Sequence, residues 1–181
     1  MTETPFQSDK TFGLAAYLAT ETDSGKRNAT LASVKAECAS HPLSIENYIA
    51  VVAAADCDDA PDLIRALIAD DSFFNVNLSG HARTLCRGWA SLRRRSLLTS
   101  AGLDLTVELF THVAKVNQMS AQAIVQAFND LPKFAEPQRA KLVAALRRMR
   151  AGIHPVQQES LRNQLNRIIE GYPEDSVAEN A

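Results

Sequence analysis

The feature that most constrains this chain is the apolar periodicity of Leu105 to Met149. Apolar side chains fall at Leu105, Leu109, Val113 and Val116, then at Ile124, Val125 and Phe128. They return at Leu142, Val143, Leu146 and Met149. Spacings of three and four put each set on one face of a helix. The breaks between the sets are short, and a further helix pattern runs on to Ile169. Three amphipathic helices so close together must bury their faces against one another. This stretch predicts helix-on-helix packing, and it holds no nucleophile–base pair and no metal cage.

The same reading extends along the chain. Asp9 is expected to cap a helix carrying Phe12, Leu14, Tyr17 and Leu18. Asp23, Ser24 and Gly25 break it. A second helix turns Leu31, Val34 and Cys38 inward and ends at His41-Pro42, because a proline disfavours helix in the residue before it. Ser44 is the expected cap of a third helix with Ile45, Tyr48, Ile49 and Val52 inward. An acidic turn, Asp56 to Asp59, precedes Pro61, which suits a helix start because its missing N–H costs nothing there. Leu63, Ile64, Leu67 and Ile68 then face the core.

Phe73 to Leu78 reads as a connector tucked against the core. Ser79 is expected to cap a fifth helix through Leu85 and Trp89, with Arg93 to Arg95 near its end and Gly102 in the next break. Ser120, then Glu136-Pro137, mark further helix starts, and Gly152 marks an end. Leu161, Leu165, Ile168 and Ile169 face inward on the last helix, which Tyr172-Pro173 stops. The fold class is therefore all-α: about nine helices in stacked antiparallel hairpins, an irregular α-solenoid. Residues 9–172 form the expected single domain, between flexible tails at 1–8 and 173–181.

Composition supports a packed core: the hydrophobic fraction is 46% and the formal net charge is −2. That balance gives no general electrostatic reason to expect nucleic acid or an anionic membrane. Cys38, Cys57 and Cys86 are widely spaced and odd in number, which is no disulfide framework. MTETPFQSDK contains no basic stretch followed by an apolar run, and the strongest apolar run, Ile49 to Ala55, is too short to span a bilayer. A cytoplasmic location is the expectation.

The candidate chemistry is sparse. His41 and His154 each precede a proline and read as turn residues. His81 follows Ser79-Gly80, which is no nucleophile elbow. His112 lies one turn after Glu108, but no His-Glu-x-x-His motif exists. Cys86 sits three residues before Trp89 on an apolar face and reads as a buried, inert thiol. The positive charge is more informative. Arg83, Arg87, Arg93, Arg94 and Arg95 occur between Ser79 and Ser100 without an acid. Lys133, Arg139, Lys141, Arg147, Arg148 and Arg150 follow with only Glu136 among them. Nine of these residues (Arg83, Arg87, Arg93, Arg94, Arg95, Arg139, Arg147, Arg148 and Arg150) are the candidate basic face for a carboxylate, a phosphate or an acidic partner.

The order of residues from 43 to 169 resembles the helical C-terminal domain of bacterial-type aminopeptidase N, the zinc-dependent alanyl aminopeptidases. His41-Pro42-Leu43 and Asn47-Tyr48-Ile49 stand where that family has Asp-Pro-Leu and a tryptophan-phenylalanine pair. Asp71-Ser72-Phe73-Phe74-Asn75 and Asn77-Leu78-Ser79, with Arg83 following, stand at its His-Pro-x-Phe-Asp and Asn-Pro-Asn-Arg segments. Val116 to Ile124 occupies the place of Leu-Asp-x-x-Asn-Pro-Gln-Val-Ala. Phe134, Glu136 and Arg139 match an aromatic followed by an acid-x-x-Arg helix start, and Leu146 to Met149 matches Leu-Glu-Arg-Ile. The family's prolines near Leu78 and Ala121 are absent, as is its Asn-Pro-x-x-Phe-His pattern between Leu92 and Thr99.

The resemblance implies a non-catalytic domain. In that family the zinc motif lies in an earlier catalytic domain, and the C-terminal helices stack into a bowl that restricts access to the active site. No catalytic residue, metal ligand or cofactor carries over to this chain. The implied partner is a catalytic module in cis or in trans. The alternative reading is a free-standing helical-repeat adaptor that binds an acidic protein or peptide through the basic face.

Overall fold

The computed structural model describes residues 7–172, and all regular structure in that range is helical. The helices are α1 (Gln7–Thr20), α2 (Ser24–Cys38), α3 (Pro42–Ala53), α4 (Ala60–Ile68), α5 (Ser79–Ser91), α6 (Arg93–Ser96), α7 (Ser100–Ala114), α8 (Gln118–Gln126), α9 (Gln138–Ala151) and α10 (Glu159–Ile169), with a 3-10 segment at Ala127–Lys133. The sequence count of about nine is exceeded because the arginine run folds as its own single turn, α6. The expected tail at 173–181 and most of that at 1–8 lie outside the described residues. Residues 7 and 8 belong to α1, so Asp9 sits inside that helix and does not cap it.

The helices stack in two layers. In one, α3 packs on α1, α5 on α3, α8 on α5 and α10 on α8. In the other, α7 packs on α4 and α9 on α7, and α2 is tied to the turn that follows α4 through Lys35 and Asp70. Each hairpin exposes an apolar face that only its neighbours cover, as in a solenoid. The layer through α3, α5 and α8 is the tighter one. A Cβ on Gly88 would lie 2.6 Å from Ala53 Cβ, and one on Gly80 would collide with the Glu46 carboxylate. Small residues let these helices close up.

Trp89, Phe110, Phe128, Leu85, Leu109 and Leu146 are fully buried where the layers meet. Trp89 Nε1 donates to Thr106 Oγ1 at 2.9 Å, so its one polar atom is satisfied inside the core. The Thr106 hydroxyl lies 2.8 Å from Gly102 O and 2.9 Å from Ser96 O.

Several helix starts differ from the sequence reading, each for a local reason. Pro42 occupies the first turn of α3, so that helix begins two residues before Ser44, which is buried within it. Asn117 caps α8, its Oδ1 accepting Ser120 N at 3.0 Å. Ser120 therefore receives the cap and does not provide it. Leu78 precedes α5 without a side-chain cap, and Ser79 is its first residue. Thr99 caps α7 and accepts Gly102 N at 3.1 Å. Gly102 is thus in the first turn, where a Cβ would strike Arg95 O. Gly152 does follow α9, but in right-handed conformation, and its bare Cα admits Thr111, whose Oγ1 would meet a Cβ at 2.7 Å. Phe12 and Val116, both read as inward, are exposed.

Candidate functional site

Alternate turns of the stack fall on opposite edges. One edge collects the α1–α2, α3–α4 and α5–α7 turns and the 3-10 segment leading to α9. Ion pairs join them in sequence. Arg27 pairs with Asp59, and its Nη1 also donates to Glu21 O at 2.7 Å. Arg95 Nε meets Asp56 Oδ1 at 2.6 Å, and Arg94 Nη2 meets the same carboxylate at 2.8 Å. Arg95 also pairs with Asp58 and Arg93 with Asp130. Gln138 Nε2 closes the line by donating to Leu97 O at 2.7 Å.

The acidic turn Asp56–Asp59 thus receives the arginine run. The paired arginines, Arg95 first and then Arg94, hold the Asp56 carboxyl below the usual carboxylate range. Burial works against the ionised form of Asp59, but hydrogen bonds led by Arg27 overcome it and the net shift is downward. Lys133 and Arg93 hold Asp130 down.

The nine candidate arginines do not act alike. Arg93, Arg94 and Arg95 spend their charge on the acids just named. On α9, residues advance 100° each, so Arg139, Arg147 and Arg150 share about 80° of arc while Arg148 lies opposite Arg139. Arg139 Nε pairs with Glu136 at 2.8 Å and its guanidinium lies 6.0 Å from the Tyr172 ring centre. Arg147 donates to Tyr172 O at 2.8 Å, and Arg150 lies 3.4 Å from Asn166 Oδ1. Arg148 meets Asp104 of α7 at 2.7 Å. Arg83 and Arg87 differ: both are exposed on α5, and neither has an ion-pair partner among the described residues.

The opposite edge collects the α2–α3, α4–α5, α7–α8 and α9–α10 turns. It presents Leu43, Leu78, Val116, Met119 and Val156 to solvent, from 48% exposed for Val116 to 80% for Met119. Gln118 Nε2 donates to Gln157 O at 2.8 Å, which brings the Val116–Met119 turn beside Val156. Sequence reasoning missed this edge because the five residues fall in four turns that are far apart in the chain. Only the alternation of hairpins gathers them.

Lys35 anchors the other end of that edge. It pairs with Asp70 and lies 5.0 Å from the Phe73 ring centre. Phe73 in turn meets Tyr48 edge-on at 5.2 Å. Lys35 and Ser72 hold the Asp70 carboxyl at about 2. Burial pushes the Tyr48 phenol up to about 12. His81 Nδ1 accepts Asn75 N at 3.2 Å, and burial holds its pKa below the ordinary value. The connector Phe73–Leu78 is thereby pinned, with Phe73 and Phe74 buried as the sequence predicts.

The remaining candidates are accounted for locally. Glu108 is held by Arg65 at 2.9 Å and does not pair with His112. His112 lines a cleft with Ile68, Asp71, Phe74 and Asn75. Among the described residues no group of three or more His, Cys, Asp or Glu side chains is placed to hold a metal ion. Burial raises the Cys86 thiol to about 12, which leaves it protonated at neutral pH. Burial and Asp59 raise Cys57 to about 11. His154 Nδ1 accepts Gln157 N at 3.2 Å, a turn residue as expected. No described helix is long and apolar enough to cross a membrane.

Residues 7–170 match the family described as "Domain of unknown function (DUF3458_C) ARM repeats". No curated protein matches the chain significantly.

Proposed function

This chain belongs to the DUF3458_C ARM-repeat family, and on that premise we propose that it is the non-catalytic C-terminal helical domain of an aminopeptidase N-like metallopeptidase. It packs against a catalytic module and restricts access to that module's active-site chamber. Zinc and the amine-binding residues belong to the module. The observation that carries the reading is the family match over 7–170 together with the ordered resemblance from Val116 to Met149.

One part of that resemblance has a physical basis here. In the acid-x-x-Arg helix start, Glu136 Oε2 accepts Ala140 N at 3.1 Å while Oε1 takes Arg139 Nε at 2.8 Å. The carboxylate satisfies an orphan N–H at the positive end of α9 and fixes the first turn. The edge carrying Leu43, Leu78, Val116, Met119 and Val156 is the docking surface in this reading. Its five exposed apolar side chains supply the kind of apolar surface that the centre of a protein interface buries.

The first test is to read the neighbouring coding sequence for a His-Glu-x-x-His domain, then co-express that domain with this chain. The proposal expects co-purification, and zinc-dependent hydrolysis of alanine-p-nitroanilide by the domain but not by this chain alone. Hydrolysis by the purified chain would overturn the non-catalytic assignment.

A further inference from the structure

We infer that Arg83 and Arg87 form a binding site for an extended acidic peptide segment with carboxylates on alternate residues. Of the nine candidate arginines, seven are met by an acid, an amide or a carbonyl of the fold. Among the described residues these two are not, and both are exposed. They stand four residues apart on α5, so they project from one face about 6 Å apart along the helix.

The surroundings leave their charge uncompensated. The segment from Ser79 to Ser100 holds no acid, and neither does α8, which packs on one side of α5. On the other side, α3 contributes only Glu46, half-buried and held against Gly80 at the start of α5. The basic residues of α10 are different, since Glu159 and Glu170 stand three residues from Arg162 and Arg167 in sequence. On α5 the pair therefore faces solvent from the tighter layer of the stack, with its positive charge unmet among the described residues.

Guanidinium groups take carboxylates in paired, planar hydrogen bonds. Alternate residues of an extended strand point to the same side about 7 Å apart. That repeat matches one turn of α5, so each arginine takes one carboxylate of a Glu-x-Glu segment. Adjacent glutamates point to opposite sides and present only one carboxylate to the pair. The site stands independently of any catalytic module.

The test is fluorescence anisotropy on the full chain at low ionic strength, with a labelled Gly/Ser peptide containing one Glu-Ser-Glu. The inference expects saturable binding that weakens with added salt and falls about tenfold or more in the Arg83→Gln/Arg87→Gln variant. Arg148→Gln, which breaks the pair with Asp104, should leave affinity unchanged, and the double variant should keep its thermal midpoint. Failure of the peptide to bind would overturn the inference, as would equal binding of a Gln-Ser-Gln peptide. Equal binding by the double variant, or an equal loss in Arg148→Gln, would do the same. A Glu-Glu peptide that bound as tightly as Glu-Ser-Glu would overturn the spacing argument.

Discussion

The two edges of this helical stack are built from the same kind of short turn, yet they hold together differently. The edge from Glu21 to Gln138 is tied by charge: Arg27 to Asp59, Arg94 and Arg95 to Asp56, Arg93 to Asp130. The edge from Lys35 to Gln157 is tied chiefly by rings and amides, and it leaves five large apolar side chains exposed. A solenoid needs each turn joined only to its neighbours, and either chemistry achieves that. The contrast is one of degree: among the described residues the charged edge exposes one large apolar side chain, Leu98, whereas the apolar edge exposes five, surface that water solvates poorly.

The comparison can be strained by substitution. The largest effect is expected at the apolar edge, where Phe73 joins Lys35 and Tyr48. Phe73→Ala should cost about 3–5 kcal/mol in urea unfolding, as for other buried aromatics. A loss below about 1 kcal/mol would show that the ring is not part of the core.

At the charged edge, Asp59→Ala leaves Arg27, only 6% exposed, without its counter-charge. Stranding a buried charge costs up to about 3–5 kcal/mol, and the partly exposed partner here brings the expectation to about 2–3. If Arg27→Met/Asp59→Ala restores most of that loss, the cost came from the stranded charge and not from the missing attraction.

Acid should separate His81 from the paired carboxylates of both edges. Burial keeps the folded His81 pKa below its ordinary value, so the unfolded chain binds the proton first. Stability is then full above about pH 6.5 and declines as pH falls through that value. Asp56, Asp59 and Asp130 have lowered pKa values, and so does Asp70 of the other edge. Their contribution is present above about pH 4 and is lost below it. Thermal midpoints measured from pH 7.5 to 3 should fall in two phases, and His81→Gln should remove only the upper one. A single phase in the wild-type chain would contradict this assignment.

The smallest effect is expected at Asp58, which pairs with Arg95 while its side chain is 97% exposed. Asp58→Asn should change stability by less than about 0.5 kcal/mol. A larger loss would mean that the ion pairs on this edge work as a coupled network.

Much of the fold was legible because apolar spacing survives tertiary packing. Leu109, Val113, Ile124, Phe128, Leu142 and Leu146 are all buried as their periodicity requires. Helix starts were less legible, since several groups compete for each cap. Asn117 outranks Ser120, and Pro42 outranks Ser44, by position alone. The basic face was the hardest part to read. A sequence shows that Arg93, Arg94 and Arg95 are positive. It does not show that the acidic turn at 56–59, almost forty residues earlier, returns to meet them. The same hairpin alternation that neutralises those arginines collects the exposed apolar residues on the other side.

The most direct measurement of the central claim is the mass in solution, by light scattering after size exclusion, of this chain mixed with the His-Glu-x-x-His catalytic module proposed as its partner. The account predicts a one-to-one complex with the wild-type chain. Met119→Asp/Val156→Asp should abolish that complex while keeping its thermal midpoint, and Arg94→Gln on the other edge should leave it intact. Two separate species with the wild-type chain, or a complex indifferent to charges at Met119 and Val156, would contradict it.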